Sequence, residues 1–184
     1  MNNFEHLGPL ALLVGTWGGD KGSDTSPERD GTEKNTYRET VTYTPIGDVD
    51  NAEEQELVGV YYHQIVHRIR DNKHLHDQCG YWMWDKVNDL VIHTLAIPRG
   101  VSVVLEGKAE KTENGWAFKL RGRDREGHIA QSVFMREKAL TTSMSMSLEL
   151  EENKLVYDLD MDLEIYGRSF DHLDHAELTK QRDT

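Results

Sequence analysis

The chain has 184 residues, enough for one domain with a core and too few for two of ordinary size. A net charge of −12 argues against nucleic acid as a partner, and a hydrophobic content of 37% suits a barrel around a cavity better than a solid core. One cysteine, Cys79, excludes an internal disulfide and fits a reducing compartment, and no run reaches membrane-spanning length, so the expectation is a cytoplasmic protein without a membrane partner.

Phe4 to Val14 carries Leu7, Leu10, Ala11 and Val14 at helical spacing, with Pro9 early. This predicts a short helical turn laid across one end of the fold. Gly15-Thr16-Trp17 follows. A glycine ahead of an indole lets the chain pass close beneath a barrel floor, with Trp17 covering the apolar base. The plainer alternative is a core tryptophan after a turn glycine. Gly18 to Asn35 is rich in Gly, Ser, Asp and Pro and reads as a long loop.

Strand patterns then recur: Thr36 to Thr44, Leu57 to Ile69, His74 to Trp84, Leu90 to Ile97, Val101 to Ala109 and Trp116 to Leu120. A polar connection spans Ile46 to Glu54, and Glu113-Asn114-Gly115 holds the favoured Asn-Gly hairpin turn. His128 to Met135 reads as a strand broken near Arg136 to Ala139. Thr142 to Leu150 and Leu155 to Ile165 alternate with period two, so Met144 and Met146 share a face. His175 to Lys180 closes the series. The pattern predicts about ten strands in a meander and no internal helix of note.

No Ser-His-Asp order, phosphate-binding glycine loop or Cys-His zinc spacing is present. The strand at 74–84 places His76, Gln78, Trp82 and Trp84 on one face. Turned inward, that face lines a pocket able to hydrogen-bond; turned otherwise, the indoles are core and the imidazoles sit at a wet rim. His172 and His175 stand near the end among Asp171, Asp174 and Glu177. A neutral imidazole there is a candidate iron ligand, and a solvated acidic turn is the alternative.

Leu7-Gly8-Pro9-Leu10 through Leu13-Val14-Gly15-Thr16-Trp17, the segment His76-Asp77-Gln78-Cys79-Gly80-Tyr81-Trp82, and the final hairpin with Leu155, Tyr157 and Met161 resemble the nitrobindin family. The segments Thr25 to Glu28, Ile97 to Val101 and Tyr166 to His172 are closer still to a bacterial branch described as fatty-acid-binding-protein-like or ferric nitrobindin-like. The resemblance implies a ten-stranded antiparallel up-and-down barrel related to the lipocalins, with the N-terminal turn capping one end and the whole chain one domain. In haem-binding relatives it implies ferric haem b near the barrel mouth, one axial histidine from the last hairpin, and reactivity toward nitric oxide or peroxynitrite. Spacing from Tyr157 and from Leu178 lands on Asp171 and Leu173, which implies about two residues inserted in this turn and a bulge that rotates His172 inward.

The expected function is therefore a barrel holding an apolar or amphipathic small molecule, with no catalytic residue assigned. Trp17, His76, Gln78, Trp82, Met144 and Met146 are the expected ligand-binding residues. The alternative is a ferric haem b protein with His172 on the iron, Asp174 accepting the other imidazole N–H and His76 distal. Haem b is the one cofactor the resemblance admits. A monomer or homodimer is expected.

Overall fold

Leucines three apart and a proline shape residues 5–13 into a 3-10 segment whose Leu7, Leu10 and Leu13 are fully buried. The segment lies across one end of a barrel. Gly8 takes a left-handed conformation (φ 56°), and a Cβ there would meet the Trp84 ring at 2.2 Å, so only glycine allows this approach. Trp17 Nε1 donates to the Leu13 carbonyl at 2.7 Å, which pins the segment to the first strand. The computed structural model describes residues 4–52 and 54–182.

The strands are β1 (Gly15–Glu28), β2 (Gly31–Pro45), β3 (Val49–Ala52), β4 (Gln55–Arg68), β5 (His74–Asp85), β6 (Leu90–Ile97), β7 (Val101–Lys111), β8 (Gly115–Arg123), β9 (Ile129–Gln131), β10 (Ala139–Glu151), β11 (Lys154–Ile165) and β12 (Arg168–Lys180). A six-residue helix, α1 (Val133–Lys138), precedes β10. Ten strands form an antiparallel meander in which β12 pairs with β1 and β2 pairs with β4, closing the barrel. The short β3 pairs with β4, and β9 pairs with β7. Closure leaves no long edge to aggregate.

The expected strand count holds, but its membership differs. Gly18 to Asn35 is not a loop: β1 and β2 pair from Gly15↔Tyr43 to Glu28↔Gly31. Residues 128–135 do not form a barrel strand but the short β9 and the start of α1. Glycines weaken a strand without forbidding it, and these have paired neighbours on both sides. A bulge between Gly19 and Gly22 absorbs the local irregularity. At Gly22 a Cβ would lie 2.1 Å from the Tyr37 ring, so the glycine lets Tyr37 cross the wall.

Alternation sorts the walls. Val41, Tyr43, Val60, Trp82, Leu105, Phe118, Leu148, Leu150, Leu155 and Leu178 point inward and are buried beside the 3-10 segment or in the middle of the barrel. This half is the closed end. The opposite end is formed by the turns joining β1 to β2, β4 to β5, β6 to β7 and β11 to β12, with the connection from β8 to β10. This end is the mouth.

Candidate functional site

The last strand passes between β11 and β1. Phe170, His172, Asp174, Ala176 and Leu178 alternate inward, with His172 opposite Met161 and Asp174 opposite Leu159 on β11. On the other side Asp174 lies directly opposite Asp24. Asp24 is inward because of the Gly19/Gly22 bulge: Trp17 and Gly19 pair with inward Val41 and Glu39, then Gly22 pairs with inward Tyr37. The extra residue shifts the parity, so Asp24 rather than Ser23 or Thr25 faces the lumen.

Two carboxylates facing one another across adjacent strands repel. His172 resolves this: its Nε2 is 3.2 Å from Asp24 Oδ1 and 3.1 Å from Asp174 Oδ2. Burial opposes charge on the ring, but the hydrogen bonds and charges of Asp174 and Asp24 outweigh it and push the imidazole up to about 10. The imidazolium is the form that persists at neutral pH. For Asp24 burial works upward, and the bonds from His172, Asn35 and Ser26 prevail to hold the carboxyl below its ordinary range. Asn35 Nδ2 and Ser26 Oγ donate to Asp24 Oδ2 at 2.8 and 2.9 Å. Arg68 continues the chain: it donates to Asn35 and Glu33, and through Nε and Nη2 to both Asp71 oxygens at 2.9 and 2.7 Å. One ring nitrogen and two carboxylate oxygens within 4.8 Å of one another are also the donor set of a cation site, with the shared proton in the cation's place.

His172 reaches the lumen without the expected bulge. Pairing from Lys154↔Thr179 to Ile165↔Arg168 is unbroken, and Tyr166-Gly167 makes a tight two-residue turn. Simple parity places His172 inside and His175 outside, where His175 Nδ1 lies 2.8 Å from Asp158. Asp174 does not take the second imidazole nitrogen. It shares Nε2 with Asp24.

His76 stands on β5, separated from β12 by the three strands β1, β2 and β4, and so on the far side of the mouth. Its Nε2 lies 3.1 Å from Gln78 Oε1, Gln78 Nε2 donates to Tyr62 Oη at 2.6 Å, and His93 Nε2 lies 3.0 Å from the same hydroxyl. Burial pushes His93 down to about 3, so it is neutral, and its ring stacks on Trp82 with centroids 4.2 Å apart. A second network fills the middle. Tyr157 Oη donates to Glu39 at 2.6 Å, and Gln64 Nε2 donates to Glu39 and Tyr157. Burial lifts Glu39 to about 7 against the pull of those bonds.

The structure separates the residues singled out from sequence. Trp17, Trp82 and Met144 are sealed in the core at 0, 1 and 2% exposure, and Gln78 is buried behind His76. Met146, His76 and His172 face the lumen and are half-buried, as are Leu159, Met161, Phe170 and Gln64. Sequence reading missed Asp24, Glu39 and Gln64. The alternation of Glu39 with Tyr37 and Val41 was a signal for that residue; nothing local marked Asp24, whose direction depends on the bulge.

A cleft of about 830 Å³ lies elsewhere. Its lining comes from six adjacent strands, β7, β8, β10, β11, β12 and β1, with none from the facing wall, so it is a groove on the outer surface. Ser145 and Ser147 form its floor between Lys119 and Arg121 on one bank and Asp158 and Asp160 on the other.

Comparison with solved structures finds the crystal structure of Rv2717c from M. tuberculosis at a TM-score of 0.72 and 22% identity, covering 94% of this chain and 95% of that one. That likeness supports the barrel fold. Among curated proteins none matches. Residues 6–180 match the family described as THAP4-like, heme-binding beta-barrel domain. A closed barrel with an N-terminal cap and a polar, half-open mouth is the architecture of a ligand-binding barrel, and over nearly its whole length this chain belongs to the THAP4-like haem-binding β-barrel, or nitrobindin, family.

Proposed function

We propose that the barrel binds a small amphipathic molecule at its mouth. The hydrogen-bonding end of that molecule meets His172, Asp174 and His76, and its apolar part lies on Met146, Leu159 and Met161. One observation carries this reading. The closed half is sealed, whereas one set of inward-facing residues toward the mouth, His76, Met146, Leu159, Met161, His172 and Asp174, keeps solvent contact: the side chains of His172 and Asp174 are 25 and 26% exposed although they point into the barrel. Apolar and polar lumen surface left unsealed side by side is the signature of a ligand site.

Ferric haem b is the second reading, favoured by the family and by an inward His172 facing His76 across the mouth. The donor set does not fit iron in the observed arrangement. His172 Nε2 lies between two carboxylates that favour its protonated form, whereas iron requires that nitrogen neutral and free.

Titration with 1-anilinonaphthalene-8-sulfonate and with hemin at pH 7 tests both. Saturable dye binding is expected, abolished by Leu159→Trp, which fills the mouth, with no Soret shift on adding hemin. A Soret shift in the parent that is lost in His172→Ala would replace the first reading with haem. No saturable binding of the dye, of a long-chain fatty acid or of hemin would remove both.

A further inference from the structure

The closed-end turns are acidic on balance, whereas the mouth mixes both signs, with Glu28, Asp30, Asp71 and Glu126 beside Arg29, Arg70, Lys73 and Arg125, and is basic along one arc only. The turns of the closed end carry Asp48, Asp50, Glu54, Glu113, Glu151 and Glu152. At the mouth, three segments form a continuous arc. Ser132 N donates to the Gly100 carbonyl at 2.8 Å, joining α1 to the β6–β7 turn. Ala139 pairs with Ile165, joining the end of α1 to the β11–β12 turn. The turn residues 98–100, the helix and residues 166–168 together carry Arg99, Arg136, Lys138 and Arg168 against the single acid Glu137. Asp124 lies 3.7 Å from Arg136, which remains half-exposed.

The same arc exposes apolar side chains. Val133, Phe134 and Tyr166 are 73, 60 and 50% exposed, while the next helical residue, Met135, is buried and anchors α1 to the barrel. Tyr166 is also held against local preference. It has φ 55° in a two-residue turn where asparagine or aspartate fits the left-handed region with less strain. A ring kept exposed at a strained position, beside two exposed apolar residues and within a ring of cations, has the chemistry of an interfacial contact.

We propose that this arc docks the mouth onto an anionic lipid surface. Phe134, Val133 and Tyr166 enter the headgroup region and Arg99, Arg136 and Lys138 meet the lipid phosphates, while Arg168, whose Nη2 donates to the Glu28 and Gly31 carbonyls, ties the arc to the β1–β2 turn. The acidic closed end points away and is repelled, which fixes the orientation. Among the described residues no helix is long and apolar enough to cross a membrane, so the attachment is peripheral. Docking depends on the outer arc alone and stands whether or not the lumen binds a ligand.

Co-sedimentation of the full chain at low salt tests this. The vesicles are phosphatidylcholine alone and phosphatidylcholine mixed equally with phosphatidylglycerol. Binding to the mixed vesicles is expected, with little to the neutral ones and loss on adding salt. Phe134→Asp and the pair Arg136→Glu, Lys138→Glu should each lower the bound fraction about tenfold. Val87→Asp, an exposed change at the closed end, should leave it unaltered. Tyr166→Asn should weaken binding while raising thermal stability, a combination that a purely structural role does not produce. No binding by the parent, equal binding to both vesicles, or full binding by the mouth variants would overturn the proposal. Retention of an acidic protein without any vesicle binding would assign the arc to a protein partner instead.

Discussion

The closed end and the mouth are built from the same ten strands and solve opposite problems. At the closed end the lumen is filled: Leu7, Leu10, Leu13 and Trp17 are all fully buried, and the indole N–H is satisfied by a backbone carbonyl. At the mouth the inward positions where β1 meets β12 are taken by Asp24, His172 and Asp174, which satisfy one another and leave surface in contact with solvent. Packing gives the first half its stability, because each buried side chain has many neighbours to lose. Charge compensation holds the second half, so its stability depends on pH. One fold thus carries a rigid base and a titratable mouth.

The largest expected effect comes from opening a hole in the filled half. Trp82 stacks on His93 and meets Phe118 edge-on at 5.6 Å. Trp82→Ala should cost about 3–5 kcal/mol in urea denaturation, with dye affinity at the mouth retained by the folded protein. A loss below about 1 kcal/mol would show that the base is no better packed than the mouth.

Next comes the clamp. Folded His172 holds its proton to about 10, against 6.5 for an ordinary imidazole. A raised folded value means stability that is complete below pH 6.5 and is lost as pH rises toward 10. His172→Gln should therefore be less stable than the parent by roughly 2–4 kcal/mol at pH 6, the difference shrinking toward pH 10. A constant difference across that range would mean that the clamp acts through packing alone.

Glu39 tests the boundary between the halves. Its carboxyl is raised from 4.5 to about 7, so its contribution is present below pH 4.5 and fades as pH rises through 7. Glu39→Gln keeps the bonds to Tyr157 and Gln64 within reach and removes the buried charge. It should gain roughly 1–3 kcal/mol on the parent at pH 8 and little at pH 4. A destabilised variant at pH 8 would show that the ionised carboxylate is the form the network needs. The smallest effect belongs to Val87→Asp, 81% exposed on the closed-end turn, expected within about 0.5 kcal/mol by thermal melting.

Much of this architecture was legible. Period-two alternation in Leu155 to Ile165 and Ser143 to Leu150 identifies lumen faces directly, because a strand has only two sides. Leu7, Leu10, Ala11 and Val14 signalled a docked cap, and the structure buries Leu7 and Leu10 but takes Leu13 in place of Ala11 and Val14, because a 3-10 turn repeats every three residues. Residues 18–35 misled because their glycines and serines have no apolar period, yet a strand paired on both sides is held by its backbone whatever its side chains. Residues 128–135 misled in the other direction. Ser132 accepts from Met135 N as a helix cap, and a six-residue helix is too short to show a period of its own.

The sequence by itself determined the fold class, the family and the acidic net charge, because each is a property of pattern or sum that does not depend on where residues meet. Only the tertiary structure decided what sits beside what. A single extra residue in a bulge turned Asp24 inward to share His172 with Asp174, and unbroken pairing beyond a two-residue turn placed His172 inside and His175 outside. Closure then gathered basic turns and exposed Phe134 at one end of a chain whose total is −12. Strand parity and barrel closure are long-range conditions, and a one-residue change in either moves a side chain to the opposite face of the wall.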